Sequence, residues 1–174
     1  MDLKEHIRSV KDFPKPGIMF RDITTLLENP AALKHAAELM YENVKNLGIT
    51  KVAGIESRGF IIGGILADKL NAGFVMIRKP GKLPSKKFAA SYELEYGTDS
   101  IEMHTDSIKP GDLVLLHDDL LATGGTARAA IKLIENAGGK VVSGQFLVEL
   151  TFLPGRKNLE GYNIDTIVQY HDEN

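Results

Sequence analysis

Residues Leu113 to Thr126 read LVLLHDDLLATGGT, and the fold follows from this stretch. Leu113 to Leu116 is a continuous apolar run, the pattern of a strand covered on both faces, and it leads straight into His117, Asp118 and Asp119. Two adjacent acids therefore stand at the carboxyl end of a buried strand, as acceptors suited to two neighbouring ribose hydroxyls. Leu120 to Thr126 then leads into a helix predicted over Gly125 to Asn136, closed by Gly138 and Gly139. The small residues Ala122, Thr123, Gly124, Gly125 and Thr126 let successive backbone N–H groups turn toward a phosphate. The two threonine hydroxyls add donors, and the positive end of the helix points at the same place. The competing reading is that Thr-Gly-Gly-Thr merely starts a helix and that the acid pair is a solvated strand end. Two charges after a buried strand, however, need compensation of the kind a bound sugar offers. The chain contains neither G-x-x-x-x-G-K-[ST] nor G-x-G-x-x-G, which leaves a sugar phosphate as the ligand class.

Outward from this stretch, Val-, Ile- and Leu-rich runs alternate with segments of helical period, the signature of an α/β fold with a mostly parallel sheet flanked by helices. Pro30 to Leu47 is predicted helical, with Asn29 as N-cap, proline at the first position and Gly48 as the stop. Val52 to Ile55 reads as a short buried strand, Glu56 to Gly59 as a turn, Phe60 to Leu70 as a helix, and Phe74 to Ile77 as the next strand. Val141 to Leu150 is a further strand, and Ile164 to Tyr170 an edge strand. Arg78 to Thr105 has no helical period and only a weak alternation around Ser91 to Tyr96, so it reads as a long functional or disordered excursion. No repeat or linker divides the chain, and a single domain over 1–174 is expected.

Composition narrows the classes. A 174-residue chain with 43% hydrophobic residues can bury a substantial core. With no cysteine there is no disulfide framework, thiol nucleophile or cysteine zinc site, which sits with a reducing, cytoplasmic compartment. No run approaches eighteen apolar residues and the N-terminus is charged, so neither a membrane span nor a signal peptide is expected. A net charge of −2 with dispersed signs argues against general nucleic-acid binding. The five histidines lack any paired ligand spacing, so no structural metal is expected.

The stretch Leu113 to Thr126 resembles the phosphoribosyl pyrophosphate motif of type I phosphoribosyltransferases, and DDLLATGGT is similar to the form carried by adenine phosphoribosyltransferases. His117 departs from the usual apolar residue. Four other stretches match, so the resemblance spans about Phe13 to Leu150. In FPKPGIMFRDI, Phe13 to Ile23, it implies an N-terminal hood in which Phe20 lies against the base and backbone groups around Met19 and Arg21 read the adenine edge. By their residues alone, Phe20 equally suits a core and Arg21 with Asp22 a surface pair. In GIESRGF, Gly54 to Phe60, it implies pyrophosphate held by backbone amides, the Ser57 hydroxyl and the Arg58 guanidinium, which can fork two phosphate oxygens. Read alone, Arg58 fits an ion pair with Glu56 as well. IRKPGKL, Ile77 to Leu83, gathers Arg78, Lys79 and Lys82, with Lys82 the preferred pyrophosphate contact; such a run is usually a solvated loop, and Lys86 and Lys87 are read as solvated charges. ASYELEYG, Ala90 to Gly97, ends the flexible catalytic loop of the family and implies Glu95 at the purine imidazole and Tyr96 toward the pyrophosphate. Leu150, at the far end of the resemblance, is included among the substrate-binding positions.

The implied reaction is displacement of pyrophosphate from phosphoribosyl pyrophosphate by adenine, giving AMP. Arg58, Lys82 and a Mg²⁺ carried by the substrate would neutralise the leaving group, with no metal assigned to protein side chains. Asp118, Asp119 and the Ala122 to Thr126 turn would position the sugar. The resemblance further implies a homodimer. Three alternatives stand beside this reading: a transferase for another purine, a non-catalytic phosphoribosyl pyrophosphate-binding regulator, and an unrelated sugar-phosphate enzyme that shares only the anion loop. The second would need a DNA-reading region that the chain does not offer.

Overall fold

Asn29 accepts hydrogen bonds from the backbone N–H groups of Ala31 and Ala32 through its side chain, so the first long helix starts at Pro30 as the capping pattern predicts. It runs over Pro30–Val44 (α2), one turn shorter than expected. The computed structural model describes residues 1–94 and 97–173. Before α2 lie strands Arg8–Lys11 (β1) and Met19–Asp22 (β2), an antiparallel pair, and the short helix Thr24–Glu28 (α1). After it come strand Lys51–Ile55 (β3), helix Gly59–Lys69 (α3), strand Gly73–Ile77 (β4), strands Lys87–Glu93 (β5) and Thr98–His104 (β6), and strand Leu113–Leu121 (β7). Helix Gly125–Asn136 (α4), strand Lys140–Leu150 (β8), the single turn Gly155–Asn158 (α5) and strand Ile164–Tyr170 (β9) complete the chain.

The central sheet is parallel throughout, in the order β4-β3-β7-β8-β9, with β9 at an edge as expected. β7 lies in the middle. One face packs on α2 and α3 through Leu26, Met40, Leu66, Leu115 and Leu147, and the other on α4 through Ile55, Leu116, Ile131 and Phe146. Covering both faces is what the unbroken apolar runs of β3 and β7 require. α3 approaches closely because a Cβ at Gly63 would stand 2.9 Å from Phe74 Cε2 and 3.3 Å from His117 Cδ2. Among the described residues no helix is long and apolar enough to cross a membrane.

Two expectations give way. The acid pair does not end a strand: β7 continues through His117, Asp118 and Asp119 to Leu121, still paired with β8 at Asp118↔Phe146 and Leu120↔Val148. Within the stretch Arg78 to Thr105 the segment before Lys87 is a loop, whereas Lys87–Glu93 and Thr98–His104 are strands. β5 and β6 form an antiparallel ribbon tied to the end of β4 by reciprocal hydrogen bonds between Arg78 and Glu102, at 2.9 and 2.7 Å. Ala90, Ile101 and Met103 are buried in the same core as α4, and this burial is what orders the ribbon.

Candidate active site

The carboxyl ends of β3 and β7, the start of α4 and the β5-β6 ribbon enclose a cavity of about 240 Å³. Asp118, Asp119, and Ala122, Thr123, Gly124, Gly125 and Thr126 line it together with Glu56, Arg58, Lys79 and Tyr92. Adjacent strand residues point to opposite faces, so the two acids reach the cavity by different routes. Asp118 lies against α3, where a Cβ on Gly59 would stand 3.1 Å from its Oδ1, and that same oxygen accepts the Asp119 N–H at 2.8 Å. Asp119 is only 7% exposed and takes the Arg58 Nε–H on Oδ2 at 2.5 Å. Burial, together with the neighbouring charge of Asp119, pushes the Asp118 carboxyl well above its ordinary value. The pair therefore resists holding two full negative charges. His117, 1% exposed, turns away from the cavity and bonds Gln145 O through Nδ1 at 2.9 Å. Its burial lowers the imidazole pKa to about 4, so the ring is neutral and Nδ1 is the donor.

Gly124 caps α4 in the left-handed conformation, with φ of 82°, and no side chain caps the helix. The first N–H groups of α4 thus keep their directions toward the cavity, where an anion can take them. At the opposite wall, Glu56 Oε2 accepts the Lys79 backbone N–H at 2.6 Å and pairs with Arg78 Nε at 3.2 Å. Arg58 therefore pairs with Asp119, and Glu56 with Arg78. Lys79 Nζ bonds the Asp99 carboxylate and, at 3.1 Å, the Tyr92 hydroxyl, which places a cation over the cavity from the ribbon side. Lys82 and Ser57 are exposed and do not line the cavity, and Leu150 stands at the end of β8, paired with Tyr170 and also away from it. Glu95 and Tyr96 lie outside the described residues. Sequence reasoning passed over Tyr92 and preferred Lys82 to Lys79; only the ribbon's position tells them apart.

The hood reaches this site. Phe20 is half-buried, meets Phe13 edge-on at 5.1 Å between centroids, and stands 5.5 Å from the Arg58 guanidinium carbon. It is therefore not a core residue. Arg21, 8% exposed, holds its guanidinium carbon 3.9 Å from the centroid of the Tyr170 ring and donates from Nη1 to Ser9 Oγ at 2.6 Å, while Asp22 pairs with Arg8. Met19, Phe20 and Arg21 thus sit on a strand held from behind, with Phe20 toward the cleft.

An acid pair on a central strand beside an uncapped helix start defines a class of protein that binds a sugar phosphate at the carboxyl end of a parallel sheet. The family model described as the phosphoribosyl transferase domain matches residues 22–162. Adenine phosphoribosyltransferase of Halothermothrix orenii is 56% identical over 97% of this chain and 99% of its own. The crystal structure of adenine phosphoribosyltransferase from Rhodothermus marinus superposes with a TM-score of 0.93, at 58% identity over 97% of this chain and 96% of that one. The enzyme from Saccharomyces cerevisiae, complexed with an imino-altritol 1,6-bisphosphate and adenine, gives 0.89 at 38% identity over 95% and 96%. The chain belongs to the phosphoribosyl transferase family and, within it, to the adenine phosphoribosyltransferases.

Proposed function

We propose that this chain transfers the 5-phosphoribosyl group from phosphoribosyl pyrophosphate to N9 of adenine, forming AMP and pyrophosphate, as a cytoplasmic homodimer acting in purine salvage. The observation that carries the reading is the convergence of Asp118, Asp119, Arg58 and the Ala122 to Thr126 turn on one cavity. The turn suits the 5′-phosphate, remote from the reacting carbon, and the acid pair suits the two ribose hydroxyls. As the bond from the anomeric carbon to the pyrophosphate oxygen breaks and the bond to N9 forms, positive charge grows on the ribose and negative charge on the leaving group. Asp118 and Asp119 answer the first charge. Arg58 answers the second: only its Nε is engaged by Asp119 among the described residues, so its terminal nitrogens can fork two phosphate oxygens. Lys79 from the cavity wall and Lys82 from the exposed loop are the further cations assigned to pyrophosphate, and Ser57 and Tyr96 are assigned to the same group. Glu95 is assigned to the imidazole proton, and Phe20, with the backbone of Met19 and Arg21, to the base. Leu150 is retained as a substrate neighbour.

Among the described residues no cluster of three or more His, Asp or Glu side chains could hold a metal ion, and Asp119 and Glu56 are engaged by Arg58 and Arg78, so magnesium is assigned to the pyrophosphate that carries it rather than to protein ligands. When bound with the substrate it would supply charge neutralisation at the pyrophosphate. Tyr92 and Ile101 wall the reacting centre from the ribbon side, which limits hydrolysis of the activated sugar. The exposed apolar side chains Ile61 and Met76, both 45% exposed, suit a subunit contact, which the native mass in solution would check.

The test follows AMP formation from adenine, phosphoribosyl pyrophosphate and Mg²⁺, with hypoxanthine, guanine and xanthine in parallel. Product from adenine alone is the expected result. Product only from another base would move the specificity, and tight sugar-phosphate binding without product from any base would replace the enzyme by a regulator.

A further inference from the structure

The phosphate-binding turn has a neighbour that the catalytic reading leaves unused. α5, the single turn Gly155–Asn158, lies directly behind Ala122 to Gly125. A Cβ on Gly155 would stand 2.5 Å from Ala122 O and 2.9 Å from Leu121 Cγ, so this glycine packs against the backbone of the turn with no room for a methyl group. The contact is reciprocal, because a Cβ on Gly124 would stand 2.9 Å from Gly155 O. Asn158 Nδ2 donates to Thr123 O at 2.7 Å, and Asn158 O accepts from Arg128 Nη1 of α4 at 2.7 Å. The turn and the first part of the following helix are thus both tied to Asn158.

α5 itself is anchored from below. Glu149, 3% exposed on β8, receives Arg156 on both oxygens, at 2.8 and 3.0 Å. It also accepts from Thr166 Oγ1 at 2.7 Å and Gln169 Nε2 at 3.1 Å. A buried carboxylate with this many donors holds one geometry, and Arg156 Nη1 adds a bond to Ile164 O at 2.9 Å. The chain of contacts therefore runs from the edge of the sheet through Glu149 and Arg156 to Gly155 and Asn158, and ends on the carbonyls of Ala122 and Thr123.

We propose that α5 is the template that shapes the phosphate-binding turn, with Gly155 and Asn158 as positioning residues for the sugar phosphate. The carbonyls of Ala122 and Thr123 point back toward α5, which turns the N–H groups of the same peptides toward the cavity. The inference rests on the function proposed above.

Gly155→Ala and Asn158→Ala test it, through the KM for each substrate, the Kd for ribose 5-phosphate by calorimetry, and Tm. Gly155→Ala must displace the turn, and is expected to raise the KM for phosphoribosyl pyrophosphate and the Kd for ribose 5-phosphate about tenfold or more. Asn158→Ala removes one exposed hydrogen bond and is expected to raise both about threefold. The KM for adenine stays near the wild-type value in each. Asn158→Asp, of the same shape, sets an acceptor against Thr123 O and is expected to be worse than alanine. An unchanged Kd for ribose 5-phosphate in both Asn158 variants, or a KM for adenine that rises in step with the other, would overturn the proposal even if Gly155→Ala does not fold. Wild-type protein that binds no ribose 5-phosphate would overturn the functional reading first, and this inference with it.

Discussion

Burial strips water from His117 while leaving it one hydrogen bond, to Gln145 O, and the ring responds by staying neutral. In the unfolded chain the imidazole titrates near 6.5, and in the folded protein near 4. Between these values the unfolded state binds more protons, so stability rises with pH across the window and is lost as pH falls through it. The full swing is about 3 kcal/mol. His117→Asn keeps a donor for Gln145 and cannot titrate, so its urea midpoint should fall less steeply than wild type between pH 6.5 and 4. Parallel curves for the two proteins would remove His117 as the source. The acid pair beside it was legible in the sequence as two neighbouring carboxylates following a buried strand, and illegible as geometry. Asp118 and Asp119 could be assigned to a sugar by type and spacing, but that Arg58 pairs with Asp119 rather than Glu56 depends on how α3 lies against β7, which no local pattern encodes.

Among the elements, the sheet strands and the three long helices announced themselves by period and by their start or stop residues, because apolar runs and 3.6-residue spacing reflect burial that each segment carries along its own length. The ribbon β5-β6 did not. Its buried residues Ala90, Ile101 and Met103 are interrupted by Lys87, Glu93, Asp99 and Glu102, and its order comes from α4 on one side and Arg78 on the other. α5 is too short for any period to register. β9 was visible as a strand, but its final residue has a role in the hood: Tyr170 lies between Lys4 Nζ, 4.4 Å from the ring centroid, and the Arg21 guanidinium at 3.9 Å. Removing the ring in Tyr170→Leu should loosen β2 and raise the KM for adenine about three- to tenfold, while the KM for phosphoribosyl pyrophosphate changes little. That is the reverse of the split expected at α5. Equal rises in the two constants would mean that the ring supports the fold as a whole rather than the hood.

Across the whole molecule, the site joins β3, β7, α3, α4 and the ribbon, so a ligand that fills it binds only the fully assembled fold. AMP at a hundred times its Kd should therefore stabilise the protein by about 2.7 kcal/mol. For a chain of this size that corresponds to a rise in Tm of about 5 to 10 °C, read by calorimetry with and without ligand. No rise at saturation would show that the cavity is not where AMP binds. The two halves of this site differ in how they are supported. The cavity is built on the central strand and the helix that follows it, whereas the hood is an antiparallel pair from the first two dozen residues, its strands joined by Arg8 on Asp22 and its back held by Arg21 on Tyr170. On the proposed reading, the pair of strands that chooses the base could therefore vary in sequence while the part that exchanges pyrophosphate for it at the anomeric carbon keeps its own support.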